Sequence, residues 1–220
     1  MVVLEEVSRT YQTKRGQVRA LDGVSVRVER GEFVVLCGPS GSGKTTLLMT
    51  VAAMLRPSRG RVRVEERDIY AMSIRQRAIF RARNIGFVFQ MFYLVPYLNV
   101  IENIVLAGGA AGAGAAPAEA RELLGRLGLG ERALHRPAEL SAGEKQRVAI
   151  ARAMFNRPKI ILADEPTGNL DPDNASVVLE HLSEFHRGGG TVVLASHGPE
   201  ALEFADRVVH LERGAIRDSG

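Results

Sequence analysis

The hydrophobic positions of the chain fall into two patterns. Short, nearly continuous apolar runs at 33–37, 85–90, 160–164 and 191–195 are bounded by turn residues, as buried strands are. Between them run stretches of helical character. One covers 47–55 and is stopped by Pro57, and another, rich in arginine, covers 73–83. A third covers 117–127, with Leu123, Leu124 and Leu127 on one face, and a fourth opens at Ser141 and ends before Pro158. The last begins at Asp171-Pro172, carries Val178, Leu182 and Phe185 as a stripe, and stops at Gly188-Gly189-Gly190. Strands alternating with helices predict an α/β core.

Residues 2–37 read differently. Runs at 2–4, 18–21, 24–28 and 33–37, parted by turns at 14–17 and 29–32, predict β-structure. A small strand pair is expected at 61–64 and 68–69, and a terminal hairpin around Arg213-Gly214. Residues 91–135 carry a helical pattern, with a Gly/Ala-rich connection at 107–116 expected to be flexible. The chain therefore reads as one domain. Residues 1–90 and 157–220 form the core and β-subdomain, and about 91–156 form an inserted helical subdomain.

The chemistry starts at Gly38-Pro39-Ser40-Gly41-Ser42-Gly43-Lys44-Thr45-Thr46, which fits the phosphate-loop template between a strand and a helix. Glycines let backbone N–H groups wrap an oxyanion, and the helix N-terminus adds partial positive charge. Lys44 is expected at the β- and γ-phosphates and Thr45 on Mg²⁺. The strand at 160–164 delivers Asp164 to a sheet edge as a partner of Mg²⁺, directly or one shell removed, and Glu165 follows as the general base for water. His197 ends the next strand, where it is either structural or a phosphate sensor. Ser141 and Glu144 have capping-box spacing, which explains that stretch structurally and also leaves N–H groups for an anion. Tyr11 either packs on its strand or stacks on a nucleobase. Met91-Phe92-Tyr93-Leu94-Val95-Pro96-Tyr97 either packs inward or forms a docking surface.

Composition narrows little. Apolar residues make up 45%, enough for a core, and a net charge of +4 permits an anionic ligand without requiring one. The arginines of 73–83 read as a solvated helix face, or otherwise as a membrane-surface contact. Cys37 is the only cysteine, which excludes an intrachain disulfide, and it reads as a core residue. No apolar run approaches the roughly 20 residues that span a bilayer, and the first residues lack signal-peptide character. The chain is expected in the cytoplasm.

Together these motifs resemble the ATP-binding subunit of an ABC transporter over essentially the whole length. The phosphate loop, a Q-loop at Gln90, the signature Leu140-Ser141-Ala142-Gly143-Glu144, the strand ending Asp164-Glu165 and the switch histidine His197 occur in the family's order. Asn169-Leu170-Asp171 is similar to the D-loop and Tyr11 to the adenine-stacking aromatic. The stretches 85–90, Leu94-x-Pro96 and 163–171 resemble the lipoprotein-releasing, macrolide-exporting and cell-division branch.

The resemblance implies a P-loop NTPase core with a mostly parallel sheet, an N-terminal antiparallel β-subdomain and an inserted α-helical subdomain. It implies ATP and Mg²⁺ as ligands. ATP would lie on Tyr11, Gly38, Ser40, Gly41, Ser42, Gly43, Lys44, Thr45 and Thr46, with Ser141 and Gly143 supplied across a head-to-tail dimer. Mg²⁺ would lie on Thr45, Gln90 and Asp164. Glu165, His197, Lys44 and Gln90 would serve hydrolysis. The implied partners are a second copy or a homologous ATPase, and an integral membrane permease docking near Gln90–Leu98, which places the chain peripherally on the inner face of the membrane. No nucleic-acid partner is expected. An ABC-type ATPase acting on DNA or ribosomes would need coiled coils or a second ATPase domain, whereas a regulatory or mechanical ATPase stays open. Ala142 stands where the family has glycine and is expected to cost backbone freedom there. Gly198 replaces a common aspartate, which is expected to weaken a dimer contact.

Overall fold

The computed structural model describes residues 1–14, 16–111 and 116–217. Two long strands, β1 (Val2–Thr13) and β2 (Gly16–Val28), form a hairpin, and β3 (Phe33–Cys37) leads into α1 (Lys44–Val51). The short strands β4 (Arg59–Val64) and β5 (Arg67–Asp68) precede α2 (Ile74–Asn84) and β6 (Ile85–Val88). Three helices follow, α3 (Val100–Ala111), α4 (Pro117–Arg126) and α5 (Ala142–Met154). The chain then alternates through β7 (Ile160–Asp164), α6 (Pro172–Arg187) and β8 (Thr191–Ala195), and ends in the hairpin β9 (Arg207–Glu212) and β10 (Ala215–Arg217).

The strands make two sheets. An antiparallel sheet has the order β2-β1-β4-β5, and a second sheet has the order β10-β9-β3-β8-β7-β6. In the second, the pairs from β9 to β6 are parallel and only β10 runs against its neighbour. The alternation of side chains explains the layers. Val34, Leu36, Ile160, Leu162 and Val193 face a core shared with α1 and the antiparallel sheet. Phe33, Val35, Ile161, Ala163 and Val192 face the helical side, packed with residues of α3, α4, α5 and α6. Strands apolar on both faces thus sit between two layers, as their sequence demanded.

Several local expectations shift. The helix after the phosphate loop runs 44–51 rather than 47–55. Gly43, in the left-handed region at φ 111°, caps it, so the loop's own Lys44 and Thr45 are helical. Ala53, also left-handed at φ 59°, breaks it before Pro57 can. The runs at 2–4 and 18–28 belong to two much longer strands whose pairing carries register shifts. Part of the connection expected to be flexible, 107–111, is the end of α3, because alanine favours helix strongly enough to carry two glycines. Residues 112–115 and Arg15 lie outside the described residues. Ala142 is the first helical residue of α5 and is absent from the positive-φ positions, so the expected backbone cost does not arise.

Among the described residues no helix is long and apolar enough to cross a membrane.

Candidate active site at the carboxyl ends of three strands

β3, β8 and β7 are adjacent and parallel, so their carboxyl ends deliver the phosphate loop, Ser196-His197 and Asp164-Glu165 to one edge. There a cleft of about 360 Å³ is lined by Ala20, Ser40, Gly41, Ser42, Gly43, Lys44, Thr45, Thr46, Gln90 and Glu165. Gly43 is required twice over. Its φ is left-handed, and a Cβ would stand 2.4 Å from the carbonyl oxygen of Ala20 on β2.

Lys44 is buried, and its Nζ donates to the carbonyls of Gly38 at 2.8 Å and Pro39 at 3.3 Å. It also lies 3.6 Å from Glu165 Oε1. The Thr45 hydroxyl donates to Asp164 Oδ1 at 3.0 Å. Burial pushes the Asp164 carboxyl up. The Thr45 hydrogen bond opposes this, the Glu165 charge adds to it, and Lys44 opposes it.

Glu165 sits at φ 46°, a conformation that costs a non-glycine residue about 1–2 kcal/mol. Its N–H donates to the carbonyl of Ala195 at 2.9 Å, and its own carbonyl accepts from the N–H of Gly168 at 3.2 Å. These bonds hold the turn after β7 so that the carboxylate meets Lys44 on one side and His197 on the other, with Oε2 3.5 Å from Nδ1. His197 is otherwise well exposed, at 68% of its side chain.

Gln90 lies just past the end of β6, and its carbonyl accepts from Asn169 Nδ2 at 3.4 Å. Its side chain borders Gly168, so the Q-loop and the turn after Glu165 are in contact.

Not every expected residue joins this cleft. Tyr11 pairs with Val18 near the end of the first hairpin and does not line it. The guanidinium of Arg9 covers one face of the Tyr11 ring, 4.7 Å from its centroid. Ser141 and Gly143 open α5 elsewhere. The Ser141 hydroxyl accepts from the N–H of Glu144 at 3.2 Å, and the Glu144 carboxylate accepts from the N–H of Ser141 at 2.8 Å. Arg132 adds a 2.8 Å ion pair to Glu144. Hydrogen bonds from Ser141 and Arg132 hold the Glu144 carboxyl below its ordinary range.

One family model matches residues 21–168, that of the ABC transporter. The chain belongs to the ABC transporter ATP-binding family. Relatives extend the match over nearly all of it. The lipoprotein-releasing system ATP-binding protein LolD 2 of Caulobacter vibrioides is 45% identical over 98% of this chain and 96% of its own length. The macrolide export ATP-binding/permease protein MacB of Syntrophobacter fumaroxidans is 40% identical over 98% of this chain, which spans 31% of that longer protein. Among solved structures, the dimeric ATP-binding cassette MJ0796 in a post-hydrolysis state with ADP and Pi superposes with a TM-score of 0.93. It is 36% identical, over 99% of this chain and 97% of that one. The ABC ATPase described here therefore combines a nucleotide-hydrolysing fold with membrane-transport relatives.

Sequence reasoning missed three features of this ABC ATPase. The carbonyl of Ala20 closes over the phosphate loop from the other sheet. Asn174 on α6 packs against Gly143, where a Cβ would stand 2.1 Å from its Oδ1. Asn103, wholly buried on α3, accepts from the N–H of Val95 and donates to the carbonyls of Val95, Leu98 and Asn99. None of the three belongs to a motif.

Proposed function

We propose that two copies of this chain, or this chain and a homologue, sandwich two Mg·ATP molecules, and that hydrolysis drives a separate membrane subunit. The carrying observation is a glycine-lined cleft bordered by Lys44, Thr45 and Glu165, with Asp164 bonded to Thr45 behind it and His197 beside Glu165. The donor set fits the ligands. Backbone N–H groups and a buried ammonium suit phosphate oxygens, and a hydroxyl beside a carboxylate at 3.0 Å suits a hard cation.

Lys44, now satisfied by two carbonyls and facing Glu165, would turn to the β- and γ-phosphates. Thr45 and Asp164 would hold Mg²⁺, with Gln90 at the rim. Bound there, Mg²⁺ would neutralise charge developing on the phosphoryl oxygens. Glu165 would take the proton of a water whose oxygen bonds the γ-phosphorus as the bond to the ADP oxygen breaks, and His197, with Nδ1 3.5 Å from that carboxylate, would orient it and face the γ-phosphate. Tyr11 would stack on adenine with the ring face that Arg9 leaves. Ser141 and Gly143, outside the cleft of their own chain, would complete the partner's cleft with α5 N–H groups.

The 91–156 stretch, carrying α3, α4 and α5, would move as a lobe against the core, with Gln90 as its link. Met91, Tyr93 and Tyr97 are exposed by 62%, 64% and 75%, and they support docking of a permease along 90–98. The relatives named for lipoprotein release and macrolide export support placement in that branch, on the inner face of the cell membrane.

Glu165→Gln is expected to bind Mg·ATP, shift to a dimer on size exclusion, and hydrolyse at least about 100-fold more slowly. Turnover near that of the parent would remove Glu165 as the base. Tyr97→Glu is expected to abolish co-purification of the membrane subunit while leaving the isolated ATPase intact. Retained co-purification would move the docking surface elsewhere.

A further inference from the structure

Arg152 lies in the last turn of α5, the helix that Ser141 opens. Its Nη1 donates to the carbonyl of Tyr93 and its Nη2 to that of Phe92, both at 2.6 Å. Phe92 and Tyr93 are consecutive left-handed residues, at φ 55° and 48°. Neither is glycine, so the turn is held against its own preference. The planar guanidinium fork offers two parallel donors, which suits two successive carbonyls. Burial pushes the Arg152 pKa down, and among the described residues no acidic partner offsets it. A cation taken partly out of water to hold only main-chain oxygens is a costly way to fill space.

The other end of the segment is held separately. Asn103 on α3 binds the backbone of Val95, Leu98 and Asn99. The 91–99 stretch is thus pinned at two points by two different helices. Only the first pin is on the helix that begins at the proposed composite nucleotide site. Nine residue steps of rigid helix, about 14 Å, separate Gly143 from Arg152.

We infer that Arg152 is a positioning residue that locks the 91–94 turn to α5, so that engagement of the α5 N-terminus by nucleotide sets the conformation of the docking segment. The inference deepens the docking reading of residues 90–98 and rests on it for its purpose, though the lock itself can be measured without any membrane partner.

Residue-resolved amide exchange tests it in the Glu165→Gln protein, alone and with Arg152→Ala or Arg152→Lys, with and without Mg·ATP. The parent is expected to exchange slowly at 92–94 and to change there on adding Mg·ATP. Arg152→Ala is expected to exchange at least about tenfold faster at 92–94 and to ignore Mg·ATP. The Val95 amide, held by Asn103, and size-exclusion behaviour are expected to stay as in the parent. Arg152→Lys, a point charge without the fork, is expected to fall between.

The proposal is overturned by a parent whose exchange at 92–94 does not respond to Mg·ATP. It is also overturned by an Arg152→Ala protein that still responds as the parent does. Loss of Val95 protection in both variants would make Arg152 a general structural residue and overturn it as well. A failed docking reading would show instead in co-purification of Tyr97→Glu, with these exchange patterns unchanged.

Discussion

Replacing Gly143 by alanine puts a methyl carbon where the structure has no room. The added Cβ would stand 2.1 Å from Asn174 Oδ1, 2.4 Å from its Cγ and 3.0 Å from its Cβ. Ordinary contact begins near 3.4 Å, so something must retreat by about 1.3 Å (3.4 − 2.1). Two routes exist. Asn174 can swing away, which breaks its bond from Arg147 Nη1 at 3.1 Å and its own donation to Asp171 Oδ2 at 2.8 Å. Those bonds are partly exposed, so their loss costs about 1–3 kcal/mol of stability. Alternatively the N-terminus of α5 moves, which displaces the N–H groups proposed to meet the γ-phosphate. A misplacement of about 1 Å at such a site costs on the order of 100-fold.

The assay is ATP-dependent dimerisation of Glu165→Gln by size exclusion, with the ATPase rate measured in parallel. Gly143→Ala is expected to weaken dimerisation by about 10- to 100-fold. Adding Asn174→Ala, which removes Oδ1 and Cγ, is expected to restore most of it, a coupling between touching residues. Parent-like dimerisation of Gly143→Ala would mean that Asn174 moves freely. Failure of the double variant to recover would mean that the defect is not steric. Either result refutes the reasoning.

Two further predictions concern stability. Glu65 accepts hydrogen bonds from the Met1 ammonium at 2.7 Å, Lys159 at 3.0 Å and Arg30 at 3.1 Å, and so ties the antiparallel sheet to the core. Burial alone would raise its pKa, but those donors outweigh burial and bring it down to about 2. A lowered folded-state value means that this contribution is full above the unfolded pKa near 4.5 and is lost as pH falls toward 2. Glu65→Gln is expected to cost about 2–3 kcal/mol at pH 7 and to flatten the acid limb of a urea-unfolding series, and an unchanged acid limb would count against it. Asn103→Leu leaves the N–H of Val95 without its partner and several carbonyls unserved, so it is expected to cost about 3 kcal/mol by denaturant titration. A loss below about 1 kcal/mol would show that the 95–99 backbone finds other partners.

What the chain's own order determines is local. Gly38 to Thr46 follows an apolar strand and runs into a helix, so the phosphate loop is legible within a few residues. Ser141 with Glu144, and likewise Asp171 with the N–H of Asn174, cap their helices because groups three residues apart meet wherever a helix starts. Strands apolar on both faces announce a covered parallel sheet, which in turn brings Asp164, Glu165 and His197 to the loop. Tertiary structure decided the rest, because these pairings join residues far apart in the chain. Glu65 meets Arg30 and Lys159, Gly143 needs the space beside Asn174, and Arg152 reaches the carbonyls of residues 92 and 93. An arginine in a basic helix, an asparagine in an apolar one, or an alanine in the signature looks the same in sequence whatever it touches. The left-handed turn at Glu165 is likewise invisible there, since nothing in a glutamate announces φ 46°. A hydrogen bond to a neighbouring strand and another from the following turn hold the backbone in a state that it would not choose alone.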